Sequence, residues 1–466
     1  MAKRVSRVTV RIACAQLVAR PIAHARAALT DILAAIAAAG AVSADFLVLP
    51  ECAYPGYVLL SADPYRKSRI PSASQALSAV GDAARRARVN VVLGIARAGA
   101  TGRLRNEAVL IDRSGAIAGV YAKSHLWNFD RRWFKRGSEL PVFETDRGRI
   151  GIMICADGRV PEIARTLAKR GAWLIADPTA WVGVGPSYAE IRNPQVEFAL
   201  RTRALENGVA IAAADKCGSE TGAVNYVGRS IIVRADGSAA AKAPAAGPAF
   251  IVADLVRHAP RPQTALVSKS QAVRLRAAVR ADRETSLGVN SRRSVTIGIY
   301  QSPRRARDSR TRREAFKSLK AQGADVTIDT SAQAREIAAA LRATRGVRCS
   351  VIEGRDMFAP EPARADALAG VDIIAWVRPP KTQTVRDFAR TRAFENRVFV
   401  LVCASADDRE PACVVTPDGS VAATALAGVP SGFTYAVRVD LARDKSVVPG
   451  TDAFADRTPA AYELFL

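Results

Sequence analysis

The chain has 466 residues, 49% hydrophobic and 24% charged, with a formal net charge of +24. That length and apolar content can build two well-buried cores. Seven scattered cysteines (Cys14, Cys52, Cys155, Cys217, Cys349, Cys403, Cys413) without a Cys-x-x-Cys spacing imply neither a disulfide framework nor a zinc site, and the dispersed His24, His125 and His258 suggest no metal.

Val8 to Gln16 has the pattern of a strand. The apolar stretch Ile32 to Ala39, followed by Ala41-Val42-Ser43-Ala44, imitates a secretory leader with its cleavage site. It comes late, and cleavage at Ala44 would discard the preceding strand, so it is read as a helix of the fold. No other run of about eighteen apolar residues occurs, so no membrane span is expected, and the odd, dispersed cysteines favour a reducing, cytoplasmic setting.

Ala44 to Leu49 is an apolar run of the kind a strand buried on both faces shows, closed by Pro50 and Glu51. Ser74 to Arg88 is an Ala/Arg-rich helical stretch, and Val89 to Gly94 a short strand. Ala118 to Ala122 is another β-type run, with Lys123 just beyond it. Gly151 to Ile154 is an apolar strand ending in Cys155, and it leads past Gly158 and Pro161 into a helical segment, Glu162 to Arg170. A thiol there faces the positive end of a helix, which lowers its pKa. Singly, a free cysteine is more often buried structure and a strand-end Glu or Lys more often solvated. Three reactive side chains in order, each at its own strand end, form a candidate catalytic set.

On Leu49-Pro50-Glu51, Tyr121-Ala122-Lys123-Ser124-His125-Leu126 and Ile154-Cys155-Ala156-Asp157-Gly158-Arg159-Val160-Pro161-Glu162, the chain resembles the nitrilase superfamily of carbon–nitrogen hydrolases over about residues 7 to 260. The resemblance implies an α/β fold, an α-β-β-α four-layer sandwich, and a catalytic triad of Glu51, Lys123 and Cys155. It implies an oxyanion donor at the backbone N–H of Ala156, where many relatives carry a bulky aromatic. The family's second glutamate falls on Asp130, in Asp130-Arg131-Arg132-Trp133-Phe134, one methylene shorter; Asp130 is an auxiliary candidate. His125 is read as a packing or hydrogen-bonding residue and Arg159 as structural.

The second half appears as a shortened repeat of the first. Arg201-Thr202-Arg203-Ala204-Leu205-Glu206-Asn207 returns as Arg390-Thr391-Arg392-Ala393-Phe394-Glu395-Asn396, and Asp236-Gly237-Ser238 as Asp418-Gly419-Ser420. Val252-Ala253-Asp254-Leu255 is matched with Arg438-Val439-Asp440-Leu441, and Asp456 to Tyr462 resembles a closing family motif. Laying Gly171–Ala176 on Gly370–Ala375 puts Cys155 on Gly354, and laying Ala44-Asp45 on Ala324-Asp325 puts Glu51 on Ser331. The expected organisation is a catalytic domain at 1–285, a linker at 286–294, and a degenerate, non-catalytic nitrilase-like domain at 295–466. Because family subunits pair through helices near the cysteine, the two copies are expected to pair within one chain; a further homo-oligomer stays open.

Much of the positive charge lies between Arg257 and Lys320, including Arg274, Arg276, Arg280, Arg283, Arg292, Arg293, Arg304, Arg305, Arg307, Arg310, Arg312 and Arg313. This stretch has no interleaved aromatics and no nucleic-acid motif, so nucleic acid is not favoured as a partner. The expected partner is a small-molecule amide. The chemistry implied is attack by Cys155, proton transfer by Glu51, oxyanion support from Lys123 and Ala156, and a thioester hydrolysed by water, with no metal or organic cofactor. Cys155-Ala156-Asp157 resembles the Cys-x-Asp of amidases and carbamoylases more than the Cys-Trp-Glu of nitrile-cleaving relatives. An amide or N-carbamoyl substrate is therefore favoured; a nitrile, or a non-catalytic binding or scaffold role, are the alternatives.

Overall fold

The structure is a computed structural model and describes residues 8–59, 69–98, 103–128, 130–183, 185, 187, 190–262, 294–304, 309–344 and 346–462. It divides into two compact units, Met1–Pro262 with Thr458–Phe465, and Gln263–Arg457. Thr458 to Tyr462, the end of the expected closing motif, thus groups with the first unit. Residues 286–293 of the expected linker lie outside the described residues, as do Arg274, Arg276, Arg280, Arg283, Arg292, Arg293, Arg305 and Arg307.

In the first unit, one sheet has the strand order β11-β10-β1-β2-β3-β4-β5. Its strands are β1 (Thr9–Val18), β2 (Phe46–Val48), β3 (Asn90–Ala98), β4 (Leu104–Ile111), β5 (Ile117–Ala122), β10 (Lys216–Glu220) and β11 (Val224–Val227). An eighth strand, β14 (Ala249–Val256), pairs antiparallel with β1. The second sheet runs β13-β12-β9-β8-β7-β6. It comprises β6 (Val142–Phe143), β7 (Ile150–Ile152), β8 (Leu174–Pro178), β9 (Ala210–Ala214), β12 (Ile231–Val233) and β13 (Ala239–Lys242). The inner faces of the two sheets meet, β1 against β9 and β3 against β8. Helices α1 (Ala25–Ala41) and α2 (Ala73–Ala87) cover the first sheet; α4 (Pro161–Lys169) and α5 (Leu200–Asn207) cover the second, with a short helix α3 at Asp130–Trp133. This is the expected α-β-β-α sandwich.

Local chemistry sets the ends of these elements. Ser72 caps α2 in a reciprocal capping box with Gln75, and Pro161 opens α4 at a position whose N–H has no helical acceptor anyway. By length and composition Ile22–Ala41 is apolar enough to cross a membrane, alone among the described helices. Its stripe of Ile32, Ala35, Ile36 and Ala39 is instead buried with Leu47, Val80, Val91 and Leu93. Each large aliphatic side chain so buried contributes about 1.5–3 kcal/mol.

The second unit has a three-stranded sheet, β16-β15-β22, and a five-stranded one, β17-β18-β19-β20-β21. The first contains β15 (Ser294–Gln301), β16 (Val326–Asp329) and β22 (Ser431–Arg438). The second contains β17 (Cys349–Glu353), β18 (Ile373–Val377), β19 (Phe399–Cys403), β20 (Cys413–Val415) and β21 (Val421–Thr424). As β1 does with β2 and β14, β15 pairs parallel with β16 and antiparallel with β22. The hydrogen bonds agree in detail. Gln16 Nε2 donates to Pro244 O and Gly247 O, and Gln301 Nε2 to Leu426 O and Val429 O. Arg203 bonds Glu206 at 2.8 Å and donates from Nε to Gly158 O; Arg392 bonds Glu395 at 2.8 Å and donates from Nε to Met357 O.

One proposed match shifts. Gln16 pairs with Ala249 and Gln301 with Ser431, which sets Asp254 opposite Arg11 in the sheet and Ala436 opposite Thr296. Asp440 lies past the strand in a short helix, Val439–Arg443, whereas Asp254 lies within β14, so Val252–Leu255 and Arg438–Leu441 do not occupy matching places.

Candidate active site

Glu51, Lys123 and Cys155 sit just past the C-terminal ends of β2, β5 and β7. Two come from one sheet and the third from the other, so packing of the sheets brings them together. Glu51 and Lys123 have fully buried side chains, and Lys123 Nζ lies 2.7 Å from Glu51 Oε1. On its other side Nζ lies 2.7 Å from Asp130 Oδ2, on a carboxylate that is also fully buried. Three buried charges in contact are tolerated only when paired and hydrogen-bonded. Asp130 meets that condition, since Oδ1 accepts from Tyr57 OH at 2.7 Å and Oδ2 also accepts the Trp127 N–H at 3.0 Å. Burial opposes the charge on Lys123, but Asp130 and Glu51 together hold its pKa well above the ordinary lysine value. It is a fixed cation.

Glu51 is held asymmetrically. Oε1 accepts from Lys123 at 2.7 Å and from Asn106 Nδ2 at 2.6 Å, whereas Oε2 is buried with no partner. Its backbone depends on a close approach: a Cβ on Gly94 in β3 would stand 2.1 Å from Pro50 O and 2.7 Å from Glu51 Cα. Only glycine permits that contact.

Cys155 opens a 3-10 turn, Cys155–Arg159, with φ +50°, a left-handed conformation that a side chain resists. Its N–H is held by Asp177 Oδ1 at 2.8 Å, and its carbonyl accepts from Gln195 Nε2 at 2.6 Å. The next N–H, of Ala156, belongs to the first turn, where donors have no intrahelical acceptor. Asp157 ties this turn to the lysine loop: it accepts from Tyr121 OH at 2.7 Å, Ser124 Oγ at 3.1 Å, the His125 N–H at 2.8 Å and the Ile154 N–H at 2.9 Å. His125 contributes its backbone N–H to this tie. The Arg159 guanidinium lies over the Trp127 ring, 4.2 Å from its centroid, a structural contact.

The thiol departs from expectation. Burial, then the Glu51 carboxylate, push the Cys155 pKa well above its ordinary value, against the opposing pull of Lys123 and a hydrogen bond from the Ala180 backbone. The five-residue turn supplies little dipole, and desolvation beside an anion outweighs it. At neutral pH the sulfur keeps its proton until a base removes it.

Tyr57, Asn106, Asp177 and Gln195 were not anticipated. Arg105, Asn106 and Glu107 are polar residues at the start of β4, before its apolar run, and Asp177 closes the apolar run of β8 as Glu51 follows β2. These signals were present in the sequence.

The carbon-nitrogen hydrolase model matches residues 11–261, more than half of the chain, and the chain belongs to that family. It is 34% identical over 192 residues to a nitrilase of Pyrococcus abyssi, covering 41% of this chain and 68% of that protein. A probable nitrilase of Schizosaccharomyces pombe is 35% identical over 131 residues, 28% of this chain and 44% of that protein, so the chain spans less than half of that relative. An amidase structure from Nesterenkonia sp. AN1 shares 27% identity over 53% of this chain and 90% of that one, with a TM-score of 0.47.

Proposed function

We propose that the chain hydrolyses a non-peptide C–N bond of a small amide or N-carbamoyl compound through a thioester on Cys155. The observation that carries this reading is the buried set in which Lys123 bridges Glu51 and Asp130 while Glu51 Oε2 stays free. An amide carbonyl is a poor electrophile, and the raised pKa of the thiol requires that its proton leave as the S–C bond forms. Glu51 takes that proton. Lys123 and the Ala156 N–H support the negative oxygen. Glu51 returns the proton to the departing ammonia or amine, then activates the water that cleaves the thioester. Asp130 has all its nearby donors engaged and serves to fix Lys123. Asp157, bound by four donors, stabilises the loop; its short side chain is the Cys-x-Asp feature that favours amides and carbamoyl compounds over nitriles.

We also infer that residues 295–457 derive from a second copy of the same fold. The matching strand pairings and the Arg392–Glu395 bonds support this, and Gly354, at φ +59°, stands at the turn position that Cys155 holds at φ +50°. Among the described residues, the three-stranded sheet of the second unit has no counterparts of β3, β4 and β5, the elements that position Asn106 and Lys123 in the first.

The test is ammonia release from small amides, N-carbamoyl amino acids and nitriles, with mass spectrometry of intact protein for an acyl adduct on Cys155. Turnover of amides or carbamoyl compounds that stops in Cys155→Ala is expected. Release from nitriles alone would overturn the substrate class, and an active Cys155→Ala would overturn the reaction.

A further inference from the structure

Asn106 lies in the middle of β4, 1% exposed, opposite Ala96 of β3. Its carbonyl accepts the Lys123 N–H at 2.9 Å, so the same residue that touches Glu51 also anchors the backbone of the lysine. Its side chain is used on one end only. Nδ2 donates to Glu51 Oε1 at 2.6 Å, while Oδ1 is buried without a partner. A buried orphan acceptor costs free energy, and an apolar residue of the same size would avoid that cost. What asparagine supplies here is the single donor toward Glu51.

That donor has a directional consequence. Each carboxylate oxygen has two lone-pair sites. On Oε1 both are taken, one by Lys123 at 2.7 Å and one by Asn106, whereas Oε2 has none engaged. We propose that Asn106 is a positioning residue that, with Lys123, determines which oxygen of Glu51 is the base: Oε1 is held and Oε2 receives the proton of Cys155. This rests on the reaction proposed above. In the first step the S–H proton passes to Oε2, the sulfur pair forms the S–C bond, and the carbonyl π pair moves to oxygen. Collapse breaks the C–N bond as the proton on Oε2 goes to the leaving nitrogen. Water then adds to the thioester, giving a proton to Oε2. The C–S bond breaks with that proton returned to sulfur, and the acid is released. Without Asn106 the carboxylate has one anchor and can rotate, so that either oxygen faces the thiol.

The test compares Asn106→Leu and Asn106→Val with the wild type in the full chain. Leucine is of similar size and removes the orphan acceptor with the donor, so its melting temperature should not fall. Asn106→Val also removes the donor, suits a strand, and serves if the leucine variant loses its fold. In both, kcat should drop roughly ten- to hundredfold with KM nearly unchanged, the size expected for one hydrogen bond to a charged group. The acid limb of kcat/KM should move to higher pH, because a donor favouring the charged carboxylate has gone. Lys123, Asp130, Cys155, Cys52, Tyr57, Asp177, Asp215 and Tyr226, the charged or titratable groups that interact with this site, are the same in every variant. A folded variant with wild-type kcat and an unmoved acid limb overturns the assignment. An inactive wild type would refute the reaction itself, whereas an active wild type with unaffected variants refutes only the role of Asn106.

Discussion

Replacing Asp130 by asparagine tests whether the shorter carboxylate carries electrostatic weight. In the wild type, Oδ2 takes Lys123 Nζ at 2.7 Å and the Trp127 N–H at 3.0 Å, and Oδ1 takes Tyr57 OH at 2.7 Å. An amide offers one oxygen to these three donors, turns an NH2 toward at least one of them, and leaves Lys123 with one anion in place of two. Removing one partner of a buried ion pair costs about 3–5 kcal/mol. At roughly 2–4 °C per kcal/mol for a domain of this size, melting should fall by roughly 6–20 °C. A lost oxyanion donor costs about a hundred- to a thousandfold in rate; a Lys123 with one anchor should lose part of that, leaving kcat down by at least about tenfold. Asp130→Glu restores the charge at an overpacking cost of about 1–3 kcal/mol and should retain more activity than Asp130→Asn. Ammonia-release kinetics and calorimetry on the same preparations decide the matter. An Asp130→Asn protein with wild-type kcat and melting temperature would show that the triad needs no fourth member.

Cys155→Ala and Glu51→Gln should each nearly abolish turnover while circular dichroism stays unchanged; full activity in Cys155→Ala would move attention to Cys52, beside Glu51. Gly94→Ala places a Cβ 2.1 Å from Pro50 O, so both kcat and melting temperature should fall, and retention of both would contradict the tight seat of Glu51. Asp215 is fully buried, its pKa pushed well above the carboxylate range by desolvation, and its Oδ2 has no partner. A carboxyl whose folded pKa is raised contributes most stability at or below its unfolded value near 4 and loses it as pH rises toward the folded value. Asp215→Asn, which keeps the Oδ1 acceptor, should therefore gain melting temperature over wild type increasingly from pH 5 to pH 9. A pH-independent difference would refute a neutral Asp215.

The sandwich fold was legible through the resemblance that three local motifs carry, and the same motifs mark the candidate catalytic set. Apolar runs ending in Glu51, Lys123 and Cys155 mark strand ends, and active-site groups collect there. Asp130 was marked only through the resemblance, as the position of the family's second glutamate. What escaped was of two kinds. Asn106 and Tyr57 matter through partners 55 and 73 residues away in sequence, and no periodicity reports such pairs. The direction of the thiol's pKa depends on a balance between a turn dipole and desolvation beside Glu51, and the depth of burial that decides it is a property of the folded sandwich. The likeness of the two halves was readable where side chains make specific bonds, as in the Arg203 and Arg392 helices, and misleading at Asp440, where only a shared Asp-Leu supported the match.

Two units of related topology in one chain separate residues that shape the turn from those that perform chemistry. Arg203 and Arg392 each bond a glutamate three residues on and reach back to carbonyls at the end of a 3-10 turn, Gly158 and Arg159 in one unit, Met357 and Phe358 in the other. The first turn carries Cys155 and the second carries Gly354, so this arginine network forms without a thiol and is an element of the fold. The position of Asp177, which holds the Cys155 N–H, is occupied in the second unit by Trp376, whose Nε1 donates to Gly354 O at 2.8 Å. An apolar ring there replaces a buried acid. A carboxylate buried at 0% exposure is costly to keep, and the unit without the thiol does without it. If Cys155 is the nucleophile of the proposed reaction, Asp177, Asn106 and Asp130 belong with that chemistry, whereas the arginine network, found in both units, belongs with holding the turn.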